Sequence, residues 1–431
     1  MTPLIDDFLS FLDDSPSPHH AAANAAQRLE DSGYTRVDET AEPVTLPAGS
    51  KHYVQRGSSV VAFRMGTGAP VEHGFRIAAA HTDSPNLRIK PNPLIRSHGY
   101  IRLGVETYGG VLLATWADRD LGFAGAVTVR TDTGHESRLL DVREPMCRIP
   151  NVAIHLNRGV NDKGLILNKQ THLPALFTLS DDDSADPFTA LLANRLDVAE
   201  DDILTWDLGL YDLTPPAVGG LNDEFLYSAR LDNLGSTHAG LAALLTSDDS
   251  DTPEPTAVLG LFDHEEVGSQ SATGAKGRLL EDVLERIVRD AEQQAPGGQQ
   301  RAIASSFIVS ADMAHAVHPA YSDLHDGEHM PKFGLGPVIK QNVNQRYTTN
   351  NDTAARFLGL CEAAGVPCQW FVTRSDLACG STVGPMISAN LGIESVDVGN
   401  PMLSMHSARE MCGTADHAMM VGALTELFKG T

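Results

Sequence analysis

The chain has 431 residues, 42% hydrophobic and 6% aromatic, which is ordinary globular composition and long enough for two or three domains. It carries 56 acidic residues against 32 basic ones, a formal net charge of −24, so nucleic-acid phosphates and anionic membrane surfaces are repelled and excluded as general partners. No run of 18 apolar residues is present to span a membrane, and Met1–Asp14 holds four Asp and no Lys or Arg, unlike a secretory signal.

In chain order, the first 33 residues read as two helices separated by Ser15-Pro-Ser-Pro18, the second rich in Ala and ended by Gly33. His52–Met65 alternates around Gly57 and reads as a hairpin. Arg76–Ala80 is a short apolar strand running into His81-Thr-Asp83. From residue 85 to 223 the texture changes. Gly109, Gly110, Gly122, Gly125 and Gly134 punctuate short strands such as Gly110–Ala117 and Ala126–Arg130. Helical periods are scarce there until Pro187–Asp197, and Asp181–Asp186 reads as a solvated loop. This predicts a β-rich domain, residues 85–223, inserted into a domain made of 1–84 and 224–431.

After the insertion, strand and helix alternate. A helix follows Asp232, then come a strand at Thr256–Phe262, a helix at Arg278–Gln293, and strands at Ser306–Ser310 and Gly336–Lys340. A helix at Asp352–Ala364, strands at Gln369–Thr373 and Ile393–Val398, and a helix at Ala415–Phe428 complete the chain. Such alternation predicts an α/β fold, a doubly wound, mostly parallel sheet with helices on both faces. The five cysteines (Cys147, Cys361, Cys368, Cys379, Cys412) are scattered and form no C-x-x-C pair. A zinc ribbon is excluded and a disulfide framework is not expected, so the chain reads as reduced and cytoplasmic.

Ligands of open α/β sheets bind beyond the carboxyl ends of the strands. His81-Thr-Asp83 follows the first such strand, Asp263-His264-Glu265-Glu266 the next, Asp312 the one after, and His406 lies a short loop beyond Ile393–Val398. Arg230-Leu-Asp232-Asn opens a helix. Each alone has a plain alternative: a surface His-x-Asp pair, the start of a solvated helix, or a helix cap. Together they fall on one sheet edge. Two His and three carboxylates suit a pair of zinc-like ions, because imidazole favours zinc over magnesium or calcium. Two dications are balanced by Asp232, one Glu, Asp312 and a hydroxide, leaving the second Glu as the base. Asp83 stands two residues from His81, placed to hold its imidazole.

Rival motifs are absent or weaker. No H-E-x-x-H, G-x-S-x-G or G-x-x-x-x-G-K-[ST] occurs, and His325-Asp-Gly-Glu-His329 reads as a solvated turn. Cys379 could pair with His406 as a nucleophile, but a buried, inert thiol is the commoner arrangement.

Six motifs, Ala79-Ala-His81-Thr-Asp83-Ser-Pro, Arg230-Leu-Asp232-Asn-Leu, Glu265-Glu266-Val-Gly-Ser, Ser310-Ala-Asp312-Met-Ala-His315-Ala-Val-His318-Pro, Gly336-Pro-Val-Ile-Lys340 and Met405-His406-Ser-Ala-Arg-Glu410, run in order through nearly the whole chain. In this the sequence resembles the aspartyl aminopeptidases, cytosolic metallopeptidases with two zinc ions. The resemblance implies that Asp232 bridges both metals, that His81 and Asp312 complete one site, and that Glu266 and His406 complete the other. It implies Glu265 as general base toward a bridging water, and Lys340 as the cation that selects an N-terminal Asp or Glu. Lys340 alone would read as a surface lysine.

The resemblance further implies a tetrahedral dodecamer built from dimers paired through the inserted domain. In it His155, within Ile149-Pro-Asn-Val-Ala-Ile-His155, reaches the neighbouring active site; by itself it reads as a strand-end His with a local hydrogen bond. His315 and His318 are candidates for supporting the ligands or the oxyanion, with a structural alternative for His318 before Pro319. Cobalt or manganese can replace zinc in such sites. Three readings compete: an aminopeptidase preferring neutral or basic N-termini, a related deacylase, and a non-catalytic shell-forming protein. The β-rich texture of 85–223 disfavours the deacylase, whose inserted domain is usually a helix-on-sheet module.

Overall fold

The computed structural model describes residues 2–41, 45–180, 182, 184–248, 251–292 and 296–430. Helices Pro3–Asp13 and Pro18–Asp31 open the chain, each with Pro in its first turn, where the missing N–H costs nothing. Ser17 caps the second by accepting from the His20 N–H at 3.3 Å.

The main sheet has nine strands. Their spatial order is Thr35–Arg36, Lys51–Arg56, Ser59–Arg64, Thr256–Phe262, Phe75–His81, Phe307–Ala311, Glu394–Gly399, Val338–Gln341 and Gln369–Val372. The four central strands, Thr256–Phe262 to Glu394–Gly399, are parallel, and antiparallel neighbours flank them on either side. Side chains alternate between faces. Ala78, Ala80, Leu259 and Val309 pack under the two N-terminal helices, Leu231–Ser247, Asn351–Ala364 and Thr414–Phe428. Ile77, Ala79, Val258 and Ile308 pack under Leu279–Glu292, Gly298–Ala304 and Val383–Leu391. The doubly wound architecture follows, since a strand apolar on both faces needs cover on both. Leu259 is fully buried between such layers, and truncating it to Ala costs about 2–5 kcal/mol. No helix among the described residues is long and apolar enough to cross a membrane.

A second sheet of six strands is antiparallel throughout, in the order Gly134–Cys147, Leu121–Thr131, Ile203–Asp212, Asn86–Ser97, Tyr100–Tyr108 and Ala175–Leu179. It has its own core, with Leu87, Phe123, Leu208 and Leu210 against Phe188 and Leu192 of helix Pro187–Leu196. Asp186 caps that helix through the Phe188 and Thr189 N–H groups. Of the acidic loop, Asp181 and Asp183 lie outside the described residues, as does Gln293.

Two differences from the sequence reading concern this region. Gly110–Ala117 is not a strand. The chain leaves strand Tyr100–Tyr108 at Gly109, with φ 71°, and then makes a single 3-10 turn at Leu113–Trp116. Val111, Leu113 and Trp116 pack into the core beneath the second sheet, and the segment pairs only at Ala117, through a single bridge to Ile149. Ala217–Gly219 pairs with Phe225–Ser228, which joins Glu410–Gly413, Pro401–Leu403 and Ala314–His315 in a third sheet. A piece of the 85–223 segment is thus hydrogen-bonded into the α/β unit.

Candidate metal centre and active site

The parallel strands deliver three of the six motif segments to one edge. His81 ends strand Phe75–His81, and Asp312 directly follows Phe307–Ala311. Glu265 and Glu266 sit in a 3-10 turn, Glu265–Val267, beyond Thr256–Phe262. That turn is framed by His264 at φ 66° and Gly268 at φ 96°, which bend the chain so that both carboxylates remain near the strand end. Asp232 begins helix Leu231–Ser247 with non-helical backbone, and its peptide bond to Asn233 is cis. His406 lies in the loop between Pro401–Leu403 and Glu410–Gly413.

Five of these side chains, His81, Asp232, Glu266, Asp312 and His406, converge. His81 Nε2 is 3.4 Å from Asp232 Oδ1 and 3.5 Å from Asp312 Oδ1. His406 Nε2 is 3.4 Å from Asp232 Oδ2 and 3.4 Å from Glu266 Oε2. Asp232 therefore offers one oxygen to each of two donor sets. The separations are long for hydrogen bonds. They match about 3.4 Å, the spacing of two donors each about 2.05 Å from a tetrahedral ion. Asp232 Oδ1 is buried with no hydrogen-bond partner, an acceptor that a cation would satisfy. Donor atoms of His81, Asp232 and Glu266 also lie within 4.8 Å of one another. The residues thus fit zinc in both chemistry and spacing.

The other ring nitrogens are spoken for. His81 Nδ1 lies 3.0 Å from the Asp83 carbonyl and 3.3 Å from Asp83 Oδ1. His406 Nδ1 lies 3.0 Å from the Gly110 carbonyl oxygen, which can only accept. Nδ1–H donation there directs each Nε2 lone pair to the cluster. Asp83 does more than orient His81. Its two oxygens accept the N–H groups of Glu265 and Glu266, both at 3.1 Å, and it accepts the Tyr108 hydroxyl at 2.7 Å. Hydrogen bonds from His81 and Tyr108 outweigh burial and hold its pKa below the usual carboxylate range.

Without metal the cluster is proton-rich. Burial pushes the pKa of Glu265 up to about 9, the neighbouring carboxylates adding to the effect of burial while His81 opposes it. Burial likewise raises Glu266 to about 7. Burial opposes a charged His406, but Asp232 and Glu266 outweigh it and raise the pKa to about 11. Metal binding at these donors competes with protons, so zinc affinity should fall as pH falls.

The cluster floors a cavity of about 520 Å³. Lys340 lines it too, 2% exposed, with Nζ donating to the Met313 carbonyl at 3.3 Å. The ammonium is 3.6 Å from Asp312 Oδ2 and 5.2 Å from the Tyr347 ring centroid. It is a buried cation, not a surface lysine.

Of the remaining sequence candidates, His155 is exposed on the loop after Ile149, away from the residues lining this cavity. His318 lines the adjacent cavity instead, its ring 4.8 Å from Tyr321. His315 lines both. Cys379 packs on the small core of Ala314, Val338, Tyr347 and Phe371, half-buried rather than fully buried as expected.

Sequence reasoning gave no role to Glu410, Tyr108, Gly110 or Tyr347. Glu410 stood inside a recognised motif four residues after His406, which was its signal. Tyr108 and Gly110 lie in the insertion and had none.

A family model described as Aminopeptidase I zinc metalloprotease (M18) matches residues 11–428. The chain belongs to the M18 aminopeptidase family. It is accordingly a hydrolase of the zinc aminopeptidase type. A relative from Ectopseudomonas mendocina, carrying the name "Probable M18 family aminopeptidase 2", is 49% identical over 431 residues, covering 99% of this chain and 98% of its own. One from Pseudomonas entomophila with the same name is 48% identical over 425 residues, covering 98% and 97%. Among solved M18-like structures, the chain in an Ape4–Nbr1 complex superposes with a TM-score of 0.95 at 37% identity, covering 99% of this chain and 85% of that one. The Saccharomyces mApe1 dodecamer gives 0.86 at 26% identity, covering 99% and 96%.

Proposed function

We propose that this M18 chain is a dinuclear zinc aminopeptidase that removes N-terminal Asp or Glu from peptides. The observation that carries the acidic preference is Lys340, a buried ammonium facing the same cavity as the metal cluster. A cation held out of water demands an anion, and Asp312 at 3.6 Å is shared with the cluster.

His81, Asp312 and Asp232 would hold one zinc, and His406, Glu266 and Asp232 the other. Bound zinc acts as a Lewis acid on the peptide carbonyl and makes water nucleophilic at neutral pH. Glu265 takes the proton from the attacking water and later returns it to the leaving amine, its turn pinned by Asp83. Lys340 pairs with the carboxylate of the substrate's first side chain. Cobalt or manganese would serve the same donors.

Residues 1–84 and 224–431 form the catalytic unit, and 85–223 the dimerisation unit of a tetrahedral homododecamer, apart from Ala217–Gly219. Support comes from the Saccharomyces neighbour, described as a dodecamer, and from the loop around His155. That loop exposes Val152, Ile154 and Leu156, apolar side chains suited to a partner subunit. His155 would then enter the partner's active site. The described cysteines are all free, which supports a reducing, cytoplasmic setting.

The test is hydrolysis of a matched peptide panel beginning with Asp, Glu, Leu, Lys or Gly, in metal-loaded and chelated protein. Chelator-sensitive cleavage of Asp and Glu is expected. Cleavage led by Leu, Lys or Gly would discard the acidic pocket and keep the metal chemistry.

A further inference from the structure

A second cavity of about 350 Å³ adjoins the catalytic one and shares His315, Tyr347, Gly380 and Met405 with it as common wall. Its character is different. Phe371, Met402, Leu403 and Met405 line it, together with Leu324 and Leu377 from two separate loops. Leu324 is 51% and Leu377 44% exposed. Exposed leucines converging on a concave apolar surface are uncovered contact area, the composition of a ligand pocket rather than of an ordinary loop.

Polar groups interrupt this apolar wall: His318, His325, Thr373, Arg374 and Ser404 also line it. His325 accepts the His318 N–H through Nε2 at 3.3 Å, while its Nδ1 is buried without a hydrogen-bond partner.

Lys340 lines the catalytic cavity and not this one, with Tyr347 between them. The substrate's first side chain is therefore accounted for. What remains is the chain beyond the cleaved bond, which must leave the metal cluster through a neighbouring space.

We propose that this cavity is the binding site for the side chain of the substrate's second residue, and that it selects large apolar side chains such as Leu, Met or Phe. This rests on the reading of the chain as an aminopeptidase, but not on which first residue it prefers. The volume accommodates one such side chain with room for the backbone. Burying one against this surface favours it over Gly by about tenfold in kcat/KM, since only part of its area is covered.

The experiment compares kcat/KM for tripeptides with Gly, Leu, Phe or Lys in second place. The first residue is fixed at whichever the N-terminal panel shows to be fastest, so that the two readings fail separately. Phe and Leu are expected to exceed Gly and Lys by about tenfold. Leu377→Ser and Leu324→Ser should each shrink the Phe-to-Gly ratio several-fold, and Ala378→Trp should shrink it by filling the space. A flat response to the second residue would overturn the proposal. So would a Phe-to-Gly ratio that survives all three substitutions. A flat ratio accompanied by a changed assembly mass in the leucine variants would instead assign the leucines to a contact between subunits.

Discussion

Asp232 and Glu410 are joined through the backbone, the Asp232 N–H donating to Glu410 Oε2 at 3.1 Å. Oε1 of the same carboxylate accepts the His406 N–H at 2.6 Å. One buried side chain thus positions both the carboxylate shared by the two donor sets and the histidine of the second set. Glu410 is itself fixed by strand Glu410–Gly413, paired with Phe225–Ser228 just before Asp232. Glu410→Ala leaves two buried N–H groups unpaired, each costing about 1–3 kcal/mol. We expect zinc affinity to fall by about 10–100-fold, as for other outer partners of metal ligands. Glu410→Gln keeps one acceptor and should fall in between. Competition with a chromophoric chelator measures this. A lowered melting temperature with unchanged zinc affinity would reduce Glu410 to a structural residue.

The segment that carries the six-stranded sheet reaches into the site through Tyr108 and Gly110. Tyr108 donates to Asp83, and Asp83 pins the turn that carries Glu265. Tyr108→Phe removes one hydrogen bond to a buried carboxylate, about 1.5–3 kcal/mol. The base should become less well aimed, so kcat is expected to fall about tenfold with KM little changed. Asp83→Asn should do more harm, because its amide nitrogen cannot accept an N–H. A raised KM with unchanged kcat for Tyr108→Phe would contradict this account.

Much of this was readable in advance, for a specific reason. Thr256–Phe262, apolar on both faces, could only be a central strand, and the residues just past a central strand's carboxyl end must lie at the ligand-binding edge. His81, Glu265, Glu266 and Asp312 were found that way. Asp232 and His406 came from the same edge, one at the start of a helix and one a short loop beyond a strand, and the family motif added which of the two donor sets each joins. Tyr108 and Gly110 were not readable, because their partners Asp83 and His406 are distant in sequence and belong to another unit. Gly110–Ala117 was misread for the same reason. Its apolar residues look like a strand, but they pack into the core of the insertion while Gly110 turns its carbonyl to His406.

Glu265→Gln tests the chemistry most directly. The amide is nearly the same shape and cannot carry a proton between water and amine. Glu265 is not among the five proposed ligands, so zinc content should stay at the wild-type level while kcat falls by about 10²–10⁴-fold. Metal analysis and steady-state kinetics on the same preparation decide it. Near-normal turnover with full zinc would remove Glu265 from the role of base.

Acid stability should depend on the N-terminal helices. Burial lowers the pKa of His20 to about 4, so it is neutral when folded. Burial also lowers His238, which lies 2.9 Å from Asp7 and 2.8 Å from His417, and it lowers His417 well below the usual value. Below pH 6.5 the unfolded chain binds protons that these folded histidines refuse. Stability therefore falls as pH drops from 6.5 through about 4, by on the order of 3 kcal/mol for His20 alone. Asp7 acts lower down. Its pKa of about 2 is set first by the His238 hydrogen bond, so its contribution is present above pH 3.8 and lost as pH falls through 2. Denaturant unfolding of wild type and His20→Gln at pH 7 and 4.5 should show a shallower loss in the variant. Comparing the two cancels any loss of metal common to both. Equal losses would exclude His20.

Lys340 has two possible duties, and one substitution separates them. Its ammonium has three protons; one goes to the Met313 carbonyl and another faces Asp312 at 3.6 Å. Among the described residues the third has no hydrogen-bond acceptor, and on the proposed reading it would meet a substrate carboxylate. Lys340→Met keeps most of the volume and removes the charge. If the ammonium binds the substrate, Asp peptides lose a charge-assisted contact worth about 1.5–3 kcal/mol, and the Asp-to-Leu ratio of kcat/KM falls by about 10–100-fold. Leu peptides, which never used that contact, should fall far less. If Lys340 only steadies Asp312, Asp and Leu peptides fall together and zinc affinity falls with them. The ratio, not the absolute rate, is therefore the measurement that assigns the residue, and an unchanged ratio would take the acidic preference away from Lys340.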